Sequence, residues 1–313
     1  MSFIPEELIN LFEREKDLDT KHRELLEKDL ILHKLLLSLS SDQEFKENYA
    51  FKRGTCLTKA YFGYYRFSED LDFSFINQEK FKDLSKKKIR KKISEELEKI
   101  IEIIDKFCKE NELDFKADKT DETYFEFRGG NKFTTIKIYY NSSIDNVKRF
   151  IKLQFNFLEK ILFTIKDKDI ESIISKDIKK EFEVNFSENL YWVLKSPRLN
   201  VYSLDEILSE KIRAILTRQG VKSRDFIDVY KITSGKIEEL NKIKKQIIEK
   251  TEFMLDYEKY YENFLLHKKN IPEYNKGGGD RLLIESFDSY SEFYSFLEKL
   301  ENFLRSVIEE INS

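Results

Sequence analysis

The apolar positions in the first half of the chain recur with two different periods. Spacings of three and four residues, which give a helix one buried face, predict helices over residues 5–16 and 21–39. The same spacing predicts a long helix with one apolar stripe, formed by Ile89, Ile93, Leu97, Ile100, Ile104 and Phe107. Strict alternation, which gives a strand one buried face, predicts two strands around the turn Gly129-Gly130-Asn131 and another in "IKLQFNF", residues 151–157.

The helical period dominates from residue 201 onward. In "YSLDEILSEKIRAILTRQG", Ser203 is placed to cap a helix, Glu206 to complete a capping box and Gly220 to end the helix. A second helix is predicted from about Arg224 and a third over 236–267. The last helix is predicted from apolar positions at Phe293, Phe296, Leu297, Leu300, Phe303, Leu304, Val307 and Ile308.

Composition agrees with an ordered globular protein. The chain has 313 residues, of which 40% are hydrophobic and 37% charged, with 9 Gly and 3 Pro, whereas disordered chains are poor in apolar residues. Together with the periodicities, this predicts an α+β fold. We expect a mixed sheet flanked by helices over residues 1–200 and a C-terminal helical bundle over residues 201–313.

Cysteine usage and overall charge exclude some classes of protein. Cys56 and Cys108 match no zinc or redox spacing, and we find no long uncharged apolar segment and no secretory signal pattern, so we expect a cytoplasmic protein. The net charge of −3 gives no general attraction for nucleic acid. The basic run "KFKDLSKKKIRKK", residues 80–92, is either a solvated helix face, the simpler interpretation, or a nucleic-acid patch.

The segment "SEDLDFSF" combines strand alternation with two carboxylates. Its apolar and polar residues alternate as Leu71, Phe73 and Phe75 with Asp70, Asp72 and Ser74. A strand would bury the first set and present the second on the opposite face. Carboxylates two residues apart in a strand, about 6.6 Å along the chain, suit one Mg²⁺ or flank two ions in phosphoryl-transfer sites. A lone Asp-x-Asp is more often a solvated strand edge, so its surroundings decide.

Gly54 and Thr55 precede that segment by a helix-length spacer. Glycine lets a backbone approach a phosphate closely, and free N–H groups at the start of a helix attract anions. A triphosphate held there would lie near ions bound by Asp70 and Asp72, and one carboxylate could take the proton of an attacking hydroxyl. The structural alternative is that Gly54 only ends a turn and that Cys56 is a small buried residue.

Two ordered blocks of the sequence resemble a known family. The stretch "RGTCLTKAYFGYYRFSEDLDFSF", residues 53–75, is similar to the signature of AbiEii/AbiGii nucleotidyltransferase toxins, approximately G-G-T-x-L followed by R-x-S-E-D-L-D-F. A second block of that family, E-K-x-R-A followed by R-D-x-x-D, resembles "SEKIRAILTRQGVKSRDFIDVYKI", residues 209–232. The resemblance implies a polymerase-β-type nucleotidyltransferase core with a helical region.

The resemblance also implies an activity, partners and site residues. It implies transfer of a nucleoside monophosphate from an NTP to an acceptor hydroxyl, dependent on Mg²⁺ or Mn²⁺, with RNA as acceptor, the tRNA 3′ end being one candidate. It implies a toxin opposed by a separately encoded antitoxin protein. The implied metal ligands and catalytic residues are Asp70 and Asp72, joined in the cleft by Lys211 and Asp225. The residues implied to line the nucleotide are Arg53, Gly54, Thr55, Arg66 and Ser68.

The second block also has an interpretation of its own. Lys211 lies on the polar side of an amphipathic helix, where it either faces a cleft as a point charge for phosphate or is a plain surface lysine. Asp225 and Asp228 share a helix face, although acids in a first helical turn also favour the helix dipole. Arg224 and Asp228, four residues apart, are placed to form a surface ion pair.

Two departures from the family pattern leave other functions open. Arg53 stands where the family usually has the first of two glycines. Many nucleotidyltransferases carry a third carboxylate on a later strand, whereas the polar face of "IKLQFNF" offers Lys152, Gln154 and Asn156. The alternatives are therefore a weak or inactive nucleotide-binding or protein-interaction module, and an enzyme that transfers the nucleotide to a protein hydroxyl.

Overall fold

The computed structural model of the chain forms two compact units. The described residues are 3–15, 18–173, 182, 184, 186, 188–275, 282–284 and 289–311. The first unit, here called the sheet unit, comprises Met1–Glu159 and Ile165–Val201, and the second, here called the helical unit, comprises Lys160–Thr164 and Tyr202–Ser313. The predicted α+β class is confirmed. No helix in the described ranges is long and apolar enough to span a membrane.

The sheet unit is built on one mixed sheet of seven strands. These are β1 (Tyr49–Lys52), β2 (Asp70–Phe75), β3 (Phe125–Arg128), β4 (Phe133–Asn141), β5 (Lys148–Asn156), β6 (Lys166–Asp169) and β7 (Arg198–Val201). Their order in the sheet is β3-β4-β5-β2-β1-β7-β6. The strand that carries the two aspartates, β2, is therefore central, and it runs antiparallel to β1 and parallel to β5.

Five α-helices of the sheet unit lie within the described residues. They are α1 (Glu6–Glu15), α2 (Arg23–Ser41), α3 (Gln43–Asn48), α4 (Arg53–Leu57) and α5 (Lys86–Glu110). The two helices predicted near the N-terminus correspond to α1 and α2, and the predicted long helix to α5. A π-helical turn, Thr58–Phe62, continues α4. Lys59 of this turn is buried and donates to Oδ2 of Asp29 on α2 at 2.9 Å, which fixes the segment between β1 and β2.

Aromatic packing sets the orientation of β2. Its apolar side chains are buried as the alternation predicts. The ring of Phe73 stacks on that of Phe155 from β5, with centroids 5.5 Å apart, and lies 5.4 Å from the ring of Phe51 on β1. Burying a phenylalanine side chain contributes about 1.5–3 kcal/mol. Because side chains alternate along a strand, holding Phe73 on this face turns Asp70 and Asp72 to the other.

The helical unit contains six α-helices in its described part. They are α6 (Leu204–Thr217), α7 (Ser223–Thr233), α8 (Ile237–Lys242), α9 (Lys244–Leu255), α10 (Glu258–Lys269) and α11 (Tyr290–Ile311). The prediction of one helix over 236–267 is wrong, because the backbone leaves the helical region at Ile243 and at Tyr257. The break at Ile243 lets Leu240, Ile243 and Ile247 all enter the common core.

The predicted capping box of α6 is only half formed. Oγ of Ser203 accepts a hydrogen bond from the backbone N–H of Glu206 at 3.2 Å, as a cap should. The carboxylate of Glu206 does not reach back to Ser203. It is buried, accepts the backbone N–H groups of Leu162 and Phe163 at 2.8 Å each, and pairs with Lys250. The local pattern indicated Glu206 as part of the cap, but its carboxylate supports a neighbouring segment instead. The helix also ends at Thr217, before Gly220.

Candidate active site

Strand β2 places both aspartates on one face of the sheet, as predicted, but not in equal surroundings. Asp70 is opposite Lys152 of β5, and Asp72 is opposite Gln154. Asp70 is half-buried, whereas Asp72 is only 6% exposed. Side chains from other segments cover part of this polar face, since Arg53 contacts Asp72 and Glu159 accepts a hydrogen bond from Ser74.

The turn between β1 and α4 is tied directly to the start of β2. The hydroxyl group of Thr55 lies 2.7 Å from Oγ of Ser68 and 2.5 Å from the backbone carbonyl oxygen of Asp70. Thr55 is buried, so these contacts are shielded from water. The predicted glycine-hydroxyl turn and the Asp-x-Asp strand therefore form a single local structure.

Gly54 is needed for close approach, but the group that approaches it is a protein side chain. A Cβ at this position would lie 2.5 Å from Nη2 of Arg66 and 3.2 Å from Oγ of Ser68. Arg66 is almost fully buried and donates from Nη1 to the carbonyl oxygen of Phe67 at 2.8 Å. The structure thus places Arg66 as a support of the turn. Contact of Gly54, Thr55, Arg66 and Ser68 with a nucleotide stays a prediction.

Arg53 contacts the second aspartate. Its Nη1 lies 2.5 Å from Oδ1 of Asp72 and 3.3 Å from Oε1 of Gln154. The backbone of Arg53 has φ +63°, which is the left-handed region that glycine adopts without strain. This explains physically why a glycine would suit the position. It also means that the arginine is held there at some cost in backbone energy.

The polar face of β5 has no carboxylate, as the sequence predicts, yet one carboxylate near it was missed. Glu159, just beyond β5, pairs with the buried Lys52 and accepts hydrogen bonds from Ser74 at 3.1 Å and Asn156 at 2.6 Å. Glu159 belongs to no periodic segment, so no sequence pattern marks it. These neutral and cationic partners make it a structural carboxylate of the sheet.

The donor set suits a divalent ion that also binds substrate. Among the residues that the structure describes, no three His, Cys, Asp or Glu side chains lie close enough to hold a metal ion. Mg²⁺ commonly uses one or two carboxylates and completes its six ligands with water and phosphate oxygens. Asp70 and Asp72 match that pattern, because they lie on one face of β2 next to the turn of Thr55.

In the helical unit, the second block forms a compact ion cluster. Nζ of Lys211 on α6 lies 2.7 Å from Oδ1 of Asp225 and 2.5 Å from Oδ2 of Asp228, both on α7. Arg218 reaches the other oxygen of Asp225 at 2.5 Å. Burial favours a raised pKa for Asp225, but the charges of Lys211, Arg218 and Arg224 outweigh it and hold that pKa well below its usual range.

Two predictions about this block are wrong. Lys211 is only 7% exposed, so it is not a plain surface lysine. Asp228 is fully buried and pairs with Lys211, so it does not form a surface pair with Arg224. Both errors arise because α7 covers the polar side of α6. The roles of Lys211 and Asp225 in a cleft with the aspartates of β2 stay predictions.

Comparisons with known proteins identify the family. The family model for the nucleotidyl transferase AbiEii toxin of type IV toxin–antitoxin systems matches residues 34–287. Among solved structures, JHP933 from Helicobacter pylori is 16% identical, with 92% of this chain and 94% of that chain covered and a TM-score of 0.41. A candidate nucleotidyltransferase from H. pylori is 15% identical, with 93% and 95% covered and a TM-score of 0.39. No curated protein has significant sequence similarity to this chain.

The family match extends over most of the chain and includes both blocks from which the resemblance was drawn. It begins before the turn at Arg53 and ends beyond α10. The resemblance found in the sequence is therefore confirmed, and the chain belongs to the AbiEii family of nucleotidyl transferase toxins of type IV toxin–antitoxin systems.

Proposed function

We propose that this protein transfers a nucleoside monophosphate from a nucleoside triphosphate to an acceptor hydroxyl, with Mg²⁺ or Mn²⁺ as cofactor, and that this activity makes it a toxin. The observation that carries the proposal is the direct link between the turn of Gly54 and Thr55 and the Asp70-x-Asp72 strand through the hydroxyl of Thr55. Such a link keeps a triphosphate-binding turn at a fixed place beside the carboxylates. Family membership gives the reaction class.

The reaction is a displacement at the α-phosphorus. The acceptor oxygen forms a bond to this phosphorus, the bond to the oxygen that bridges to the β-phosphorus breaks, and pyrophosphate leaves. The proton of the acceptor hydroxyl passes to a carboxylate, for which Asp70, the more exposed of the pair, is suited. A bound divalent ion supplies positive charge opposite the phosphate oxygens.

The protein's own contribution is to position charged groups. Asp70 and Asp72 orient the ion, while the buried contacts of Thr55 and Ser68 hold the turn in place. A preorganised polar site of this kind stabilises developing charge without having to rearrange during the reaction. We therefore expect loss of either aspartate to affect turnover far more than folding.

RNA is the acceptor that we propose. Helix α5 begins with "KKKIRKK", and the cations of this run are exposed. A row of exposed cations suits a phosphate backbone. The opposing partner that the type IV family implies is an antitoxin protein.

The test is a labelling experiment with each of the four NTPs in turn, labelled at the α-phosphorus, together with Mg²⁺, total RNA and cell protein. We expect label in RNA, and we expect the variant D70N/D72N to lose at least about 100-fold of that labelling. The matched control is D167N/D169N, because these residues form an exposed Asp-x-Asp on strand β6. If both double variants lose activity equally, or if neither does, the assignment to β2 is wrong.

A second function, nucleotide binding without transfer, is favoured by one observation. Arg53 contacts Oδ1 of Asp72. Strand β5, the best candidate for a third carboxylate, has the neutral Gln154 opposite Asp72. If no label enters RNA or protein while D70N/D72N retains toxicity, this second function replaces the first. Label in protein alone would instead identify a protein hydroxyl as acceptor.

A further inference from the structure

The guanidinium of Arg53 bridges strands β2 and β5. It does so at the row of the sheet, meaning the set of residues paired across strands, that contains Asp72. Asp72 on β2 and Gln154 on β5 are paired in register. One nitrogen of Arg53, Nη1, lies 2.5 Å from the carboxylate of Asp72 and 3.3 Å from the amide oxygen of Gln154. A positive group that joins side-chain oxygens of two adjacent strands has the role that a metal ion plays in a carboxylate centre.

The backbone of Arg53 is held at an angle that glycine adopts more readily. A non-glycine residue at φ +63° is strained, and such strain persists only where the surroundings hold it and is concentrated at functional sites. The contacts with Asp72 and Gln154 help to hold it. The side chain of Arg53 is still 33% exposed, whereas that of Asp72 is 9% exposed. A ligand can therefore reach the guanidinium.

The donor set of the surrounding sheet face favours one divalent ion over two. The row of Asp70 contains Lys152, and Asp72 lies between Gln154 on β5 and Lys52 on β1, which pairs with Glu159. Arg53 contacts Oδ1 of Asp72, so a metal ion would be held by Asp70 and the other carboxylate oxygen of Asp72. One divalent ion commonly uses one or two carboxylates and completes its ligands with water and phosphate oxygens.

The geometry points to Arg53 as a fixed cation that replaces one of the two metal ions of a two-metal centre, so that this protein binds a single divalent ion. The inference rests on the proposed function. Asp70 and the second carboxylate oxygen of Asp72 would hold the ion, which would supply positive charge to the triphosphate. Arg53 contacts oxygens of the phosphoryl group under attack, since a guanidinium binds such oxygens in a fixed fork.

This assignment also determines where the proton goes. An arginine side chain remains protonated under all ordinary conditions, so Arg53 stabilises negative charge and accepts no proton from the acceptor hydroxyl. The proton passes to an aspartate, and Arg53 keeps its contact with Asp72. No further reactant is needed.

The test counts metal ions and does not depend on turnover. Mn²⁺ is titrated into the protein saturated with an α,β-methylene NTP, for each of the four bases, and free Mn²⁺ is measured by electron paramagnetic resonance, with nucleotide alone subtracted. We expect one bound Mn²⁺ per wild-type chain. We expect two in the variant R53G/Q154E, which removes the guanidinium and adds a third carboxylate.

Several outcomes of this titration are decisive. Two ions in the wild-type protein would overturn the inference, and so would one ion in R53G/Q154E. The variant D70N/D72N separates this inference from the proposed function. If it binds as much Mn²⁺ as the wild type, the metal centre is not on β2 and the proposed function fails as well.

Chemical rescue provides a second readout that a merely structural arginine would not give. In R53G we expect labelling of the acceptor to fall at least about 100-fold and to be partly restored by guanidinium ions at concentrations well below those that unfold proteins. D72N should show no such restoration. R53G leaves the buried Asp72 without this cation, and relief of the strained φ offsets only part of that loss, so labelling is measured well below the melting temperature of the variant. If R53G is more active than wild type, Arg53 is an inhibitory plug and the inference is wrong.

Discussion

The buried ion cluster of the helical unit and the Arg53–Asp72 pair of the sheet unit differ in burial and in backbone strain. In the helical unit, Lys211, Asp225 and Asp228 are buried and satisfy one another across α6 and α7. In the sheet unit, Arg53 sits at a strained backbone angle beside Asp72. Removing a partner from a buried cluster leaves an uncompensated charge, whereas the side chain of Arg53 is 33% exposed and is the cation that we propose to contact a ligand.

Two motifs of the same family can therefore place their charged residues in different surroundings. Both blocks match the same family, and both contain a lysine or arginine paired with an aspartate. They differ in burial, in the number of partners and in the backbone strain of Arg53. Because Lys211 pairs with two buried aspartates, it contributes to the stability of the fold whatever its part in catalysis.

The largest effect on stability is expected for Lys211→Ala. The substitution leaves Asp225 and Asp228 without their shared cation, so the free energy of unfolding should fall by about 3–5 kcal/mol. Urea unfolding followed by circular dichroism measures it.

The matched control is Lys242→Ala, since Lys242 forms an exposed pair with Glu239 in the same unit. Its effect should stay below about 0.5 kcal/mol. Equal effects of the two substitutions would remove the contrast between the buried cluster and an ordinary surface pair.

Acid should weaken the helical unit through Asp225. The folded-state pKa of Asp225 is depressed below its unfolded value of about 3.9. Its contribution is therefore fully present above about pH 5 and is lost as the pH falls through the unfolded and then the folded pKa, by an amount on the order of 3 kcal/mol. We expect the wild type to lose more stability than Asp225→Asn between pH 7 and pH 3, measured by urea unfolding. Parallel losses in both proteins would show that Asp225 is not the group responsible.

The local features of the site could be predicted from sequence, because they depend on alternation along one strand. The alternation of β2 places Asp70 and Asp72 on one face, and the polar face of β5 already indicates that Gln154 is not an acid. The direct pairing of Asp72 with Gln154 could not be predicted, since the register of strands far apart in sequence is set by aromatic packing such as that of Phe73 on Phe155.

Contacts between distant segments account for most of what the sequence did not indicate. Arg66 fills the space beside Gly54, and Glu159 reaches Lys52 from an irregular segment. The amphipathic pattern of α6 places Lys211 on the polar side correctly, but no pattern within that helix shows that α7 covers this side. Periodicity reports which face is polar, and only tertiary structure reports what faces it.

Gly54→Ala tests whether the turn of the sheet unit is as tightly built as the helical cluster. The new Cβ would lie 2.5 Å from the buried guanidinium of Arg66, so one of them must shift, at about 1–3 kcal/mol. Labelling of the acceptor should fall too, because Thr55 would move with its neighbour.

Gly220→Ala is the control, as its Cβ meets no atom within 4 Å. It should be neutral or stabilising by up to about 1 kcal/mol. A stable, active Gly54→Ala variant would show that the Arg66 side chain can move aside at little cost in free energy, so the turn is not tightly built.

The smallest expected effect on stability comes from the lysines at the start of α5, whose positive charge is unfavourable at a helix N-terminus. Helix α5 has no acidic residue in its first turn and begins with Lys86, Lys87 and Lys88, although the N-terminus of a helix favours negative charge. Lys86→Glu should therefore raise stability by about 0.3–1 kcal/mol, while Lys109→Glu in the last turn of the same helix should lower it. Thermal unfolding at low salt measures both.

The same pair of variants shows whether this electrostatic cost serves a purpose. If the basic run binds the RNA acceptor, Lys86→Glu should weaken RNA labelling more at low salt than at high salt, since each phosphate contact contributes to the salt dependence of binding. Lys109→Glu, at the far end of α5, should leave labelling unchanged. A stabilised Lys86→Glu variant with undiminished labelling would show that these lysines are a solvated helix face. Arg53 would then be the one charge in this comparison that we propose to contact a ligand, at a backbone angle that costs stability.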